Sequence, residues 1–156
     1  MTQAVVQVVL AGNDRTGEHH AMGPAHVDFK MAAADAGDGL FVVENVLPGK
    51  GGPPLHVHND QDEWFYAVEG DYIFKIGTSH FTLRPGDAVL GPRNIPHVWA
   101  HNSTGTGRLL SVFAPAGKMD GFFQELAEAS KTGKLPLGAA SWHAHGMEVL
   151  GPPLSV

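Results

Sequence analysis

Turn-forming residues interrupt this chain so often that long helices and long strands are excluded over most of its length. Twenty glycines and eleven prolines make up about a fifth of the 156 residues, whereas roughly 12% is usual in globular proteins. Between these residues lie short runs rich in valine, isoleucine, leucine and aromatic residues, which favour β-strands. Short apolar runs separated by turn residues predict an all-β protein, built as a sandwich or a closed barrel.

The predicted strands follow one another at short intervals, with turn signals at 70–71, 77–78 and 85–87. We predict strands at 5–10, 27–32, 40–47, 55–58, 63–69, 72–76, 81–83, 88–90, 97–101 and 109–113.

The hydrophobic period changes near the C-terminus. Apolar residues at helical spacing predict a helix over 120–131 and a shorter one near 138–145, followed by an extended segment at 147–150. We expect a single domain over 1–156, with a barrel core at about 26–115 and a C-terminal helix and tail at about 118–156. The helical part is expected to cover an open end or a flank of the barrel.

Charge and cysteine content exclude several classes of function. Ten basic against sixteen acidic residues give a net charge of −6, which argues against a nucleic-acid partner because phosphate binding needs clustered Lys and Arg. The absence of cysteine removes disulfides, iron–sulfur clusters and thiolate zinc sites. Neither a targeting segment nor an apolar run long enough to span a membrane is visible, so we expect a cytoplasmic protein without a membrane partner.

One segment carries most of the chemical information. His56 and His58 alternate on a predicted strand, so both imidazoles project to one face. Glu63 opens the next strand after a short connection, and His97 opens a later one after a turn. Three imidazoles and one carboxylate that converge inside a barrel form a site for a divalent transition metal, and such donors suit Fe, Mn, Ni, Co, Cu or Zn.

Glu63 has two possible roles, as a metal ligand or as the catalytic base that takes a proton from the substrate. Asp60 and Asp62 are alternatives for either role, but both belong to the connection between strands, where solvated carboxylates are common.

Strand alternation extends the site to a substrate pocket. If Glu63 points inward, Phe65 does so too, and if His97 points inward, Trp99 and His101 follow. Phe65 and Trp99 would then wall a pocket, and His101 would lie behind the ligands or reach the substrate. The alternative is that Phe65 and Trp99 are ordinary core residues and that His101 sits in water at the strand end.

The other six histidines have no matched spacing, and we interpret them as surface or rim residues. They are His19, His20, His26, His80, His143 and His145.

The pattern resembles the cupin superfamily. Its first motif places two alternating histidines ahead of a glutamate and a glycine, and here His56, His58, Glu63 and Gly70 match it. The resemblance implies a double-stranded β-helix, the jelly-roll barrel of cupins, with a short C-terminal helical segment added.

The second cupin motif is matched by Gly86, Pro92 and His97. Asn94 stands where that motif has glycine, and His101 stands where it has asparagine. Because Asn tolerates left-handed backbone conformations, Asn94 is expected to keep the turn.

Other segments are similar to small bacterial single-domain cupins of the quercetin 2,3-dioxygenase-like type. They lie at 51–58, 62–66, 109–117, 122–123 and 146–154. The resemblance implies a metal-dependent dioxygenase that acts on a small enolisable or phenolic substrate, and a homodimer. The same ligands without dioxygen would serve an isomerase or lyase acting on a hydroxy-carbonyl compound. The third hypothesis is a non-enzymatic cupin that binds a small molecule.

Overall fold

Eleven strands form two antiparallel sheets in the computed structural model, which describes residues 5–156. The strands are β1 His20–Met22, β2 Ala25–Met31, β3 Phe41–Leu47, β4 Leu55–His58, β5 Asp62–Glu69, β6 Tyr72–Ile76, β7 Ser79–Leu83, β8 Ala88–Gly91, β9 His97–His101, β10 Gly107–Ala114 and β11 Met147–Gly151. A 3₁₀ turn spans Ala33–Ala36, and the helices are α1 Met119–Lys131 and α2 Ala139–Ala144.

The two antiparallel sheets form a β-sandwich. One sheet runs β1-β2-β3-β10-β5-β8 and the other β11-β4-β9-β6-β7, so most strands pair with partners distant in sequence. The expected all-β fold with a C-terminal helical segment is confirmed. Within residues 5–156, no helix has both the length and the apolar character that crossing a membrane requires.

The N-terminal strand prediction is wrong. Residues 5–10 form no strand, and Val6 is 87% exposed. A strand needs a partner for its backbone N–H and C=O groups, and no strand of the described chain pairs with this segment. Instead, the first strand is the short β1, which forms a tight hairpin with β2 around Gly23 and Pro24.

Two apolar clusters fill the space between the sheets. The first joins β2, β3 and β10 to the helices through stacked and edge-on aromatic rings, such as Phe29 and Phe41 with centroids 4.8 Å apart. The second surrounds Phe65, Phe74 and Trp99 near the opposite end. Each fully buried ring contributes roughly 1.5–3 kcal/mol through the hydrophobic effect, and the predicted metal ligands lie between the two clusters.

Asn94 keeps the turn before β9, as the sequence predicts. Its φ is +64°, in the left-handed region. Its backbone N–H donates to the carbonyl oxygen of His58 at 2.8 Å. The turn is thus tied directly to the strand that carries two of the histidines.

Gly70 connects β5 to β6 at a place where no other residue fits well. Its φ is +85°, and a Cβ atom at this position would lie 2.6 Å from Nε2 of His101. Gly105 has a similar φ of +83° but has open space around the corresponding position. Substitutions at the two positions therefore allow the cost of a left-handed backbone to be measured apart from the cost of a collision with His101.

We expect Gly105→Ala to lower the free energy of unfolding by about 1–2 kcal/mol, the usual cost of a left-handed conformation for an L-residue. Gly70→Ala should lose about 1–3 kcal/mol more, because overpacking adds to the same strain. Urea denaturation followed by circular dichroism measures both variants. Equal losses would show that His101 does not restrict this turn.

Candidate metal centre

Two neighbouring strands of the five-stranded sheet present the three predicted histidines. His56 and His58 alternate on β4 and point between the sheets. His97 on β9 is the direct register partner of His56. Glu63 comes from the other sheet, on β5. The four side chains therefore meet only because the two sheets face each other.

The four side chains form one compact, buried group. Their exposed fractions are 5% for His56, 2% for His58, 5% for Glu63 and 1% for His97. Oε2 of Glu63 lies 3.0 Å from Nε2 of His58 and 3.1 Å from Nε2 of His97. One donor atom from each residue can be chosen so that all four lie within 4.8 Å of one another.

This arrangement fits a divalent transition metal. Ligand atoms about 2.0–2.2 Å from a common ion lie roughly 3–4 Å apart, and the distances of 3.0 and 3.1 Å from Glu63 Oε2 to the two imidazole nitrogens fall in that range. The His58 Nε2–Glu63 contact lacks hydrogen-bond geometry, so both ring nitrogens of His58 are buried without a hydrogen-bond partner. Unpartnered buried nitrogens are costly, and metal ligation would satisfy Nε2.

The ring of His56 is oriented for ligation. Its Nδ1–H donates to the carbonyl oxygen of Pro54 at 2.7 Å, which leaves the lone pair of Nε2 free. Such hydrogen bonds to the second ring nitrogen are typical of metal-binding histidines. Nitrogen and carboxylate donors do not select one metal among the first-row ions.

Burial and charge set the protonation states of His56 and Glu63. Burial, reinforced by His97 and His58, lowers the pKa of His56 to about 3, so the ring is neutral and able to bind a metal at pH 7. Burial alone raises the pKa of Glu63, but the close contacts with His58 and His97 and the positive charge those rings can carry outweigh it and hold that pKa well below its usual range. Glu63 is therefore an ionised carboxylate.

The alternative carboxylates lie elsewhere. Asp60 is exposed in the connection between β4 and β5. Asp62 pairs with Arg93, whose Nε lies 3.2 Å from its Oδ1. Neither belongs to the buried group of donors.

The three residues assigned to a substrate pocket occupy different positions. Trp99 lines the cavity next to the metal ligands. Phe65 is fully buried behind His97, with ring centroids 5.6 Å apart. His101 is also fully buried and lies outside the lining of that cavity, where its Nδ1–H donates to the carbonyl oxygen of Gly49 and Ser103 contacts its Nε2 at 3.0 Å.

A cavity of about 1030 Å³ opens beside the ligands, and His56, His58 and Glu63 line it. Much of its wall comes from the C-terminal segments, which the sequence indicated only as packing. Trp142 on α2 packs on His56, with ring centroids 5.4 Å apart. The further wall residues from these segments are Met119, Phe122, Phe123, Leu126, Leu135, Pro136, Leu137, Met147 and Val149. The apolar spacing of α1 was the available signal, but it does not say which cavity the helix faces.

Comparisons with known proteins agree with this architecture. Residues 42–113 match a family model described as the cupin domain. Among curated proteins, no sequence matches the chain.

Solved structures share the fold at low sequence identity. KdgF from a Halomonas species is 16% identical, with a TM-score of 0.60 over 71% of this chain and 94% of its own. An RmlC-like cupin from Shewanella frigidimarina is 18% identical, with a TM-score of 0.58 over 74% and 96%. A predicted oxalate decarboxylase from Thermotoga maritima is 15% identical, with a TM-score of 0.56 over 63% and 90%. These similarities establish the jelly-roll fold expected from the sequence.

We expect His56→Ala to lower metal affinity by at least about tenfold to a hundredfold, the range found even for residues that only support a ligand. The fold should remain, because the apolar clusters on both sides do not depend on this ring. Mass spectrometry of metal content and circular dichroism of untagged protein measure the two effects. His80→Ala removes an exposed histidine and is the matched control. Unchanged metal content in His56→Ala would remove His56 from the ligand set.

The metal-free protein should lose stability as the pH falls from 7 towards 4. The unfolded chain binds a proton at His56 near pH 6.5, whereas the folded chain does so only near pH 3. Between these values the unfolded state holds more protons, so the free energy of unfolding rises with pH. Urea titrations at several pH values should show a shallower dependence in His56→Gln than in the parent. Parallel curves would mean that His56 is not buried in its neutral form.

Proposed function

We propose that this chain, whose residues 42–113 match the cupin domain, is a metal-dependent dioxygenase of quercetinase-like type acting on a small enolisable or phenolic substrate. The observation that carries the proposal is the apolar cavity of about 1030 Å³ that adjoins the buried His/Glu group. It lies at the upper end of the range for small-molecule sites, about 300–1,000 Å³. A flat multi-ring compound has room in such a cavity.

The lining favours an aromatic or otherwise apolar ligand. Rings of Trp99, Phe113, Phe122, Phe123 and Trp142 surround the space. Aromatic side chains bury large areas and stack against flat ligands in offset or edge-on geometry. Binding would therefore come mainly from apolar contact, with orientation set at the His/Glu group.

The charges at the cavity disfavour small anions as substrates. Apart from the ligand group, Lys50 is the one charged side chain among the lining residues of the described chain. Recognition of a carboxylate typically uses the paired donors of arginine, and none lines this cavity. The substrate named for the oxalate decarboxylase neighbours, a small dicarboxylate, therefore fits this site poorly.

The side chains of the inner group would have two roles, metal binding and proton transfer. His56, His58 and His97 would hold the metal with Glu63, and a bound divalent ion would supply the Lewis acidity that makes a substrate hydroxyl acidic and, if redox-active, the electron transfer to dioxygen. Glu63 is ionised, and only its Oε2 takes part in the contacts with His58 and His97. Its carboxylate would accept the hydroxyl proton, while the apolar walls exclude water from the reacting compound.

Oxygen consumption tests the proposal. Metal-loaded protein supplied with flavonols, diketones and related enolisable compounds should consume one dioxygen per substrate, with both labelled oxygen atoms recovered in the products when ¹⁸O₂ is used. Glu63→Gln should lower the rate by about a hundredfold or more, the usual contribution of a positioned base. Asp60→Asn, which neutralises an exposed carboxylate near the same strand, should leave the rate unchanged.

Turnover of any of these compounds under strict anaerobiosis would contradict dioxygenation and indicate an isomerase or lyase. Binding of the compounds without turnover in air, by protein with full metal content, would indicate the non-enzymatic reading. Full activity of Glu63→Gln would show that another group takes the proton.

A further inference from the structure

A second cluster of histidine and carboxylate side chains lies on the β1–β2 hairpin, away from the cavity. His26 and Asp28 alternate on β2 and so point to one face of the sheet. The hairpin pairs His20 with Val27 and Ala21 with His26. Continuing that register places His19 beside Asp28, on the face opposite to Val27 and Phe29, which belong to the core.

The three side chains are in contact. Nδ1 of His19 lies 2.5 Å from Oδ1 of Asp28, and Nε2 of His26 lies 3.5 Å from its Oδ2. The two imidazole centroids are 4.4 Å apart. One donor atom from each residue falls within 4.8 Å of the other two, a limit that the buried group also satisfies.

One carboxylate oxygen of Asp28 is buried without a hydrogen-bond partner. Its side chain is only 1% exposed, yet Oδ2 has no hydrogen bond. Its contact with His26 is too long for one. A buried carboxylate oxygen without a donor is costly unless a cation or a donor satisfies it.

The neighbouring charges also favour a cation beside Asp28. Glu44 of β3 is its direct register partner, and Arg108, at 2.8 Å, is engaged by Glu44. Within residues 5–156, the ionic contacts of Asp28 are with His19 and His26, and none involves Lys or Arg. Two carboxylates thus lie side by side with one guanidinium between Glu44 and Glu69.

Asp14, which lies before the hairpin, and His20 of β1 form a neighbouring pair in which every carboxylate oxygen has a hydrogen-bond partner. Asp14 accepts hydrogen bonds from the backbone N–H groups of Thr16 and Phe29, from the Thr16 hydroxyl and from His20. The ring of His20 stacks on Phe29 with centroids 3.9 Å apart. Asp14 therefore needs no further ligand, whereas Asp28 does.

We propose that His19, His26 and Asp28 form a second metal site, which binds a first-row divalent transition ion such as Zn²⁺. Two imidazoles and one carboxylate are a common ligand set for this ion, with water as the fourth ligand. The site can take that water, because the His19 side chain is 55% exposed while Asp28 forms the buried floor. It shares no residue with the group inside the barrel.

Binding would also affect the cavity, because the same hairpin contributes Met22, Pro24 and Ala25 to its lining. An ion held by one residue before β1 and two on β2 would join the two strands of the hairpin. Stabilisation should follow mass action, since the ion binds the folded chain.

Zinc binding to full-length, untagged, chelator-treated His56→Ala/His58→Ala protein tests the site with the buried centre removed. Calorimetric titration with ZnCl₂ should show one equivalent bound and a rise in the melting temperature. Adding Asp28→Asn or His26→Ala should weaken binding by at least about tenfold and abolish the rise, whereas adding His80→Ala should change neither.

Imidazole ¹⁵N spectra of the same double variant locate the ion, because zinc should shift the ring nitrogens of His19 and His26 and leave those of His80 unchanged. This readout does not depend on whether Asp28→Asn folds. Absence of zinc binding, or binding that Asp28→Asn and His26→Ala both leave intact, would overturn the proposal. Loss of stability in His26→Ala with no effect of zinc on the parent would show that the cluster is only a hydrogen-bonded support.

Discussion

A buried carboxylate from one sheet, surrounded by imidazoles from the other, is the interaction on which the inner site depends. Transfer of an ionised Glu63 from water into the sandwich is expensive unless opposite charge and hydrogen bonds compensate for it. Oε2 of Glu63 accepts a hydrogen bond from Nε2 of His97 at 3.1 Å and lies 3.0 Å from Nε2 of His58. The requirement fixes strand register, because a slip of one residue in β4 or β5 would turn these side chains to the other face. The metal ligands and the fold are therefore specified together.

The strands at 55–58, 72–76 and 97–101 were predicted with their observed bounds, because turn residues delimit them clearly. The convergence of His56, His58, Glu63 and His97 could be predicted because alternation on a strand is a local property and because the turn signals place Glu63 and His97 at the starts of later strands. Trp142 was missed as a wall of the site, since the contact between α2 and His56 depends on how the C-terminal segment folds back. His19 and His26 were interpreted as surface residues because the hairpin that joins them includes β1, which the turn signals did not reveal.

The two histidine clusters follow one construction. His56-Val57-His58 and His26-Val27-Asp28 each place two donors on one face of a strand. The first pair gains His97 from the neighbouring strand β9, and the second gains His19 from just before β1. They differ in which face of the sheet carries the donors. The first set points between the sheets and borders the cavity, while the second lies on the outer face, where His19 meets solvent. Position in the sandwich therefore decides which cluster borders the cavity.

The candidate metal ligands and much of the apolar cavity wall come from different parts of the chain. The family match, 42–113, contains all four ligands of the inner site. The helices α1 and α2, residues 135–137 and β11, which supply much of the apolar wall, lie beyond it. Similarity within the barrel thus bears on the ligand group and says little about the compound bound. The residues after 118 that line the cavity are mostly aromatic or aliphatic, and none is charged. A small anion would need paired cationic donors there.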